Sequence, residues 1–214
     1  MVKYLSIFLM LITAFFSLNQ TNVYAERNPK VLLFIHNITD PPDLELILIE
    51  EVGVMKQILE KSGFEVAVVT LSDGPISAGS TSIKPNLKLA DVEVVDYEGF
   101  ILPCFPTMTV SPEAVSLVKK AVKEEKPVAA LRASVAILAK AGVLKGKKYA
   151  YKHDSSEPDF RGAIYSGKGV VRDGNIITAG ICANAATYYG LKNGTEALTK
   201  TLIEAVREKT EAKE

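Results

Sequence analysis

The sequence has 214 residues, with 25 Lys or Arg against 25 Asp or Glu, so its formal net charge is zero. This balance argues against a nucleic-acid-binding protein, which presents a strongly basic surface to the phosphate backbone. The length fits a single domain of ordinary size that can bury a core.

The first 25 residues have the pattern of a secretory signal. Lys3 supplies a positive charge, residues 5–16 are almost all apolar, and Val23 and Ala25 are small residues at the positions that a signal peptidase reads. The apolar run is shorter than the roughly 20 residues that a spanning helix needs. We therefore expect cleavage near Glu26, export to the periplasm or medium, and no membrane association afterwards. An uncleaved N-terminal anchor is the alternative.

Beyond this segment the hydrophobic pattern alternates between strands and helices. Short apolar runs predict strands at 30–35, 64–70, 100–103, 127–131, 148–151, 169–171 and 176–179. Helical spacing and capping signals predict helices at 44–61, 112–125, 134–141 and 184–209, the last of them interrupted near Gly190 and Gly194. Residues 74–82 are rich in Gly and Ser and are predicted to form a loop, and residues 92–95 form either an edge strand or a helical turn.

Strands that alternate with helices predict an α/β fold of the flavodoxin-like, doubly wound kind. Its sheet is mostly parallel and has helices on both faces. Ligands bind such sheets at the carboxyl ends of the strands. The turns that follow the predicted strands are therefore the places to look for a site.

Several motifs in the second half of the chain are specific. They are FILP at 100–103, PVAALRAS at 127–134, AILAKAGVLKGKKYAYK at 136–152 and VVRDGNIITAGICAN at 170–184. In these motifs the chain resembles the ThiJ/PfpI family of the class I glutamine amidotransferase-like superfamily. The resemblance covers essentially residues 26–214, and it implies one domain with the family fold and a homo-oligomer.

The resemblance also implies where the catalytic groups of the family would lie. Family enzymes carry a cysteine on a sharp strand-to-helix turn, the elbow, where a nearby glutamate tunes the thiolate. The elbow residue here is Arg132, and Ala133 follows it where many members have a histidine. Glu51 matches the family glutamate because it lies twelve residues before Gly63.

Two further positions depart from the family pattern. The glycine pair whose amides would face a reacting oxygen reads Cys104-Phe105, and Lys152 stands where some members have a histidine or tyrosine. A guanidinium is neither a nucleophile nor a base at ordinary pH. We therefore expect Arg132 either to pair with Glu51 and hold a small anionic ligand, or to point into solvent.

Cys104 and Cys182 are the only cysteines, and each follows the end of a predicted strand. The resemblance places both turns beside the elbow. A disulfide, two independent buried thiols, and a redox or nucleophilic role for either cysteine all remain open.

The sequence thus favours a non-catalytic protein that binds a small molecule or a partner. The alternative is a cysteine-dependent hydrolase, a glyoxalase-like enzyme or a thiol-redox enzyme that uses Cys104 or Cys182. A third hypothesis is a purely structural or oligomeric role. No cofactor is predicted, and no metal site either, because His36 and His153 have no ligand spacing with the cysteines.

Overall fold

A seven-stranded sheet organises the chain in the computed structural model, which describes residues 28–36, 43–105, 109–151 and 158–212. In chain order the strands are β1 (Lys30–Phe34), β2 (Glu65–Thr70), β3 (Ile76–Ala78), β4 (Thr81–Ile83), β5 (Leu87–Lys88), β6 (Gly99–Leu102), β7 (Val128–Leu131), β8 (Lys148–Tyr149), β9 (Ile164–Tyr165), β10 (Val170–Asp173) and β11 (Ile176–Ala179). The main sheet has the order β10-β11-β7-β6-β1-β2-β5. Within it only the β10–β11 pair is antiparallel.

Helices cover both faces of the sheet. They are α1 (Leu44–Ile47), a π-helical turn (Leu48–Gly53), α2 (Val54–Lys61), α3 (Pro112–Lys123), α4 (Val135–Lys140), α5 (Ala183–Tyr189) and α6 (Thr195–Glu211). One core cluster joins α1, α2, α5 and α6 to one face of the sheet, and a second joins α3 and α4 to the other. The predicted flavodoxin-like α/β architecture is confirmed.

The central strands are buried on both faces, which explains why they read as continuous apolar runs. Every residue of β6, β7 and β11 is buried. Because β6, β7 and β11 run parallel, their carboxyl ends meet at one edge of the sheet. The chain also changes direction across the sheet between β1 and β6, and in such folds this is where ligands bind.

Some local predictions were wrong. The segment predicted as a loop at 74–82 contains a hairpin, β3 paired with β4, in which Gly79 has a positive φ of 56° and Ile76 is buried. The predicted helix at 44–61 is present, but it contains the π-helical turn. Of the two alternatives for residues 92–95, the helical turn is the one found, as a 3₁₀ turn at residues 94–96. The strand predicted at 148–151 ends at Tyr149 and pairs with β9, which the sequence did not predict.

The predicted signal segment and the positions Lys152 and His153 lie outside the described residues. Within the described part of the chain, no helix combines the length and the apolar character that crossing a bilayer requires.

Candidate functional site

Three turns meet at the carboxyl edge of the sheet and carry most of the site residues predicted from the sequence. Cys104 lies two residues after β6, Arg132 directly follows β7, and Cys182 lies three residues after β11. The Ser134 hydroxyl donates a hydrogen bond to the Pro103 carbonyl and so ties the turn after β7 to the turn after β6.

Glu51 reaches this edge from the π-helical turn. Glu51 lies in the buried stripe of this helical segment and has no exposed surface. The apolar members of the stripe are Leu44, Ile47, Leu48, Val52, Met55 and Leu59. The amide of Cys104 donates to Oε2 of Glu51 at 2.8 Å, and the amide of Ala183 donates to Oε1 at 3.1 Å. A single carboxyl group therefore connects the turn after β6 to the first residue of α5.

The environment of Glu51 favours its neutral form. Burial raises its pKa, and the negative charge of Cys182 raises it further, to about 8, although the two backbone amides act in the opposite direction. At neutral pH the carboxyl group therefore keeps its proton. Lysines or arginines that would hold it ionised are not among its hydrogen-bonding partners.

The two thiols lie against this carboxyl group and against each other. Both cysteines are free, and Cys104 and Cys182 are 7% and 2% exposed. The neighbouring Cys104 thiol lowers the pKa of Cys182 to about 6 against the opposing effect of burial, and the Ala185 amide and the charge of Arg132 support this shift. The neighbouring Cys182 sulfur and burial together raise the pKa of Cys104 well above its usual value.

The cluster therefore carries one negative charge near neutral pH. That charge sits on the Cys182 sulfur, while Glu51 and Cys104 are protonated. A thiolate beside two groups that carry protons is equipped for nucleophilic attack coupled to proton transfer.

The same three residues bring one oxygen and two sulfurs within 4.8 Å of one another, a grouping that the sequence spacing did not predict. Zinc accepts such donors, but only as a carboxylate and thiolates. Binding an ion here would first require the removal of the protons that burial holds on Glu51 and Cys104. The protonated cluster is thus better suited to thiol chemistry.

Arg132 occupies the elbow in a strained conformation. Its φ is 46°, in the left-handed region, and Tyr151 has a φ of 94°. These are two of the three non-glycine residues with positive φ in the described ranges, and they contact each other, with the guanidinium 5.6 Å from the centre of the Tyr151 ring. Strain of this kind concentrates at functional sites. The sharp elbow of the family is therefore present, although the cysteine is not.

The predicted pairing of Glu51 with Arg132 is wrong. Both oxygens of Glu51 accept backbone amides, and Nη1 of Arg132 donates instead to the Gly180 carbonyl at 3.5 Å. The physical reason is burial: a carboxyl group that is buried beside a thiolate is more stable in its neutral form, although the two amides oppose this effect. A neutral carboxyl group offers a guanidinium no charge to pair with.

The other predicted site residues separate into two groups. Ala133 belongs to the site, because its amide faces the Cys104 sulfur. Phe105 does not, because it packs in the core on the opposite face of the sheet and stacks on His36 with ring centres 4.8 Å apart. Lys152 lies outside the described residues.

Sequence reasoning missed Gly180 and Tyr151. A Cβ at Gly180 would lie 2.9 Å from the Lys168 carbonyl oxygen and 3.0 Å from the Tyr151 nitrogen, so only glycine lets these backbones approach. A glycine directly after a buried strand was the available signal.

Comparison with known proteins agrees with this geometry. Residues 43–190 match the profile of the DJ-1/PfpI family. An uncharacterized protein of Methanocaldococcus jannaschii is 30% identical over 190 residues, which cover 83% of this chain and 89% of the relative. A deglycase of Pyrococcus horikoshii is 28% identical over 131 residues, which cover 59% of this chain and 79% of the relative.

Solved structures show the same fold. A ThiJ/PfpI domain protein from Brachyspira murdochii has a TM-score of 0.64 at 19% identity, covering 85% of this chain and 97% of that protein. A DJ-1 superfamily protein from Agrobacterium tumefaciens has a TM-score of 0.60 at 20% identity, covering 84% and 99%.

The pKa of Glu51 makes a prediction about stability. Between pH 4.5 and about 6 the folded chain holds a proton on Glu51 that the unfolded chain has lost. The free energy of unfolding should therefore fall as the pH rises, by at most ~1.4 kcal/mol per pH unit. From about pH 6 to about pH 8 the early loss of the Cys182 proton offsets this trend, so the curve flattens.

Urea unfolding of the reduced protein at several pH values measures this curve. Glu51→Gln cannot titrate and should lack the decline below pH 6. The exposed neighbour Glu50 provides a matched control, and Glu50→Gln should keep the wild-type curve. Parallel curves for wild type and Glu51→Gln would contradict a protonated Glu51.

Proposed function

Because the chain belongs to the DJ-1/PfpI family but has Arg132 at the elbow, we propose that it is a thiol-redox protein whose chemistry lies on Cys104 and Cys182. The observation that carries the proposal is geometric: the two sulfurs and an oxygen of the buried Glu51 carboxyl group lie within 4.8 Å of one another. Two neighbouring thiols can alternate between a dithiol and a disulfide.

The reaction begins at Cys182. Its thiolate attacks one sulfur of a small external disulfide, an S–S bond to Cys182 forms, and one external thiolate leaves. Cys104 then attacks the Cys182 sulfur, the protein disulfide forms, and the second external thiolate leaves. Two protein thiols are oxidised and one external disulfide is reduced to two thiols.

Glu51 supports the proton transfers of this reaction. Its carboxyl group is neutral near pH 7 and lies within reach of both sulfurs. It can give its proton to the first leaving thiolate and recover a proton from Cys104 as that thiol becomes the second nucleophile. Because both cysteines are buried, exchange also needs a local opening that exposes the Cys182 sulfur.

The geometry gives less support to the other hypotheses. A non-catalytic anion-binding pocket built on a Glu51–Arg132 pair loses its basis because the two side chains are not paired. A hydrolase that uses the elbow lacks its nucleophile, and the Cys104 amide, which would face a reacting oxygen, is bound to Glu51. The deglycase among the relatives makes elbow chemistry the rival to test.

The two cysteines should behave asymmetrically toward hydroxyethyl disulfide, a small neutral reagent. The wild type should end as an intramolecular disulfide, two hydrogens lighter. Cys104→Ser should stop at a mixed disulfide on Cys182. Cys182→Ser should react at least ~10-fold more slowly, because the Cys104 thiol stays protonated. Intact mass spectrometry with acid quenching follows all three.

Denatured wild type is the control, since its two thiols should react alike. If Cys182→Ser reacts faster than Cys104→Ser in the folded state, the roles assigned to the two cysteines are reversed. Stable adducts on both cysteines of the wild type would contradict the redox pair.

Family chemistry at the elbow should be absent. Peptidase, glyoxalase and deglycase assays should give background rates, and Arg132→Cys alone should not restore activity. The new thiol would face a Cys104 amide that Glu51 already binds, and Ala133 supplies no base. Wild-type turnover that disappears in Cys182→Ser would instead favour a cysteine-dependent deglycase or hydrolase.

Export and homo-oligomer formation are part of the same proposal. In an oxidising compartment the pair would rest as a disulfide. We expect the exported protein to begin at or near Glu26, which intact mass spectrometry of the extracytoplasmic fraction can measure. A soluble cytoplasmic form that retains Met1 would overturn the export prediction.

A further inference from the structure

We propose that Arg132 is an anion-recognition residue that selects, for the dithiol, small substrates carrying a carboxylate next to the reactive atom. This inference rests on the proposed function, because it concerns which molecules reach Cys182. It assigns the elbow a binding role in place of the nucleophilic role that the position has in the family enzymes to which the chain is similar.

The first argument is that the Arg132 guanidinium can still donate further hydrogen bonds. Its donors are fixed in a planar fork suited to a carboxylate. Within the described residues one donor is used, in a long 3.5 Å bond to the Gly180 carbonyl. No Asp or Glu pairs with Arg132 among the residues that the structure describes. By contrast, Arg172 makes two hydrogen bonds to Glu208.

The second argument is position. Arg132 is partly exposed, whereas Cys182 is buried. Gly180, which accepts its hydrogen bond, lies two residues before Cys182, and the charge of the guanidinium acts on the Cys182 sulfur. A carboxylate bound to the free side of the guanidinium would therefore lie beside that sulfur.

The third argument is the cost of holding an arginine there. A non-glycine residue at positive φ is strained, and both Arg132 and Tyr151, whose ring lies next to the guanidinium, have that conformation. Asparagine or glycine would fit the turn with less strain. Neither would supply a positive charge.

Charge gives the proposal a direct consequence. A thiolate repels anions, so iodoacetate ordinarily alkylates a thiolate more slowly than iodoacetamide does. The two reagents are nearly equal in size and react alike: a sulfur–carbon bond forms, the carbon–iodine bond breaks, and iodide leaves. Their rate ratio at Cys182 therefore reports on the attraction of a carboxylate to the site.

The experiment measures both alkylation rates at Cys182 of the reduced protein by peptide mass spectrometry at fixed pH and ionic strength, with a chelator present. We expect iodoacetate to be the faster reagent with wild type. Arg132→Gln should lower the iodoacetate-to-iodoacetamide ratio about tenfold, as expected for the loss of a charge-assisted contact. Arg132→Lys should retain part of the ratio.

Several controls keep the outcomes apart. Arg207, exposed and bonded to the Ser62 carbonyl, provides a matched arginine, and Arg207→Gln should leave the ratio unchanged. A general loss of thiolate reactivity in Arg132→Gln slows both reagents and cancels in the ratio. The iodoacetamide rate also shows whether a variant has kept the folded site.

Two results would overturn the inference, and they differ. If iodoacetamide modifies Cys182 but the ratio does not change in Arg132→Gln, anion recognition by Arg132 is wrong and the redox proposal stands. If neither reagent modifies Cys182 in the folded protein while both modify the denatured chain, Cys182 is not a reactive thiol. The redox proposal and the inferred substrate class are then both wrong.

Discussion

The buried carboxyl group of Glu51 is the contact on which the arrangement of the site depends. It accepts the amide of Cys104 on one side and the amide of Ala183 on the other, so it fixes two turns that are far apart in the sequence. A buried amide without an acceptor costs about 1–3 kcal/mol. Glu51 therefore holds the turns that carry the two cysteines beside each other and at the same time stabilises the edge of the sheet.

The charge of the cluster follows from the same burial. Three neighbouring groups that could each become anionic cannot all do so away from water, and only one negative charge remains near pH 7. It settles on Cys182 because that sulfur has the Cys104 thiol, the Ala185 amide and the charge of Arg132 around it. Because Glu51 is neutral, it adds no second negative charge beside the Cys182 sulfur.

Much of this was within reach of the sequence, and the limits are physical. Buried strands such as β7 appear as apolar runs, and the family resemblance singled out Glu51 by its spacing to Gly63. The hairpin of β3 and β4 was missed because its Ser and Gly residues lack an apolar alternation. The Glu51–Arg132 pair was wrong because opposite charges in a sequence predict attraction only if both groups stay ionised, and burial decides that.

The family comparison and the geometry together suggest how one scaffold can lose a nucleophile and keep a site. The elbow has a left-handed backbone conformation at Arg132, and the hydrogen bond from Ser134 to the Pro103 carbonyl ties this turn to the turn after β6. The residue at this strained position therefore lies next to the turns that carry the two cysteines. A cysteine at this position could attack a substrate as a nucleophile, whereas an arginine can only bind an anionic one. In the function that we propose, the chemistry comes from another strand end, the turn after β11, which carries Cys182 with its lowered pKa.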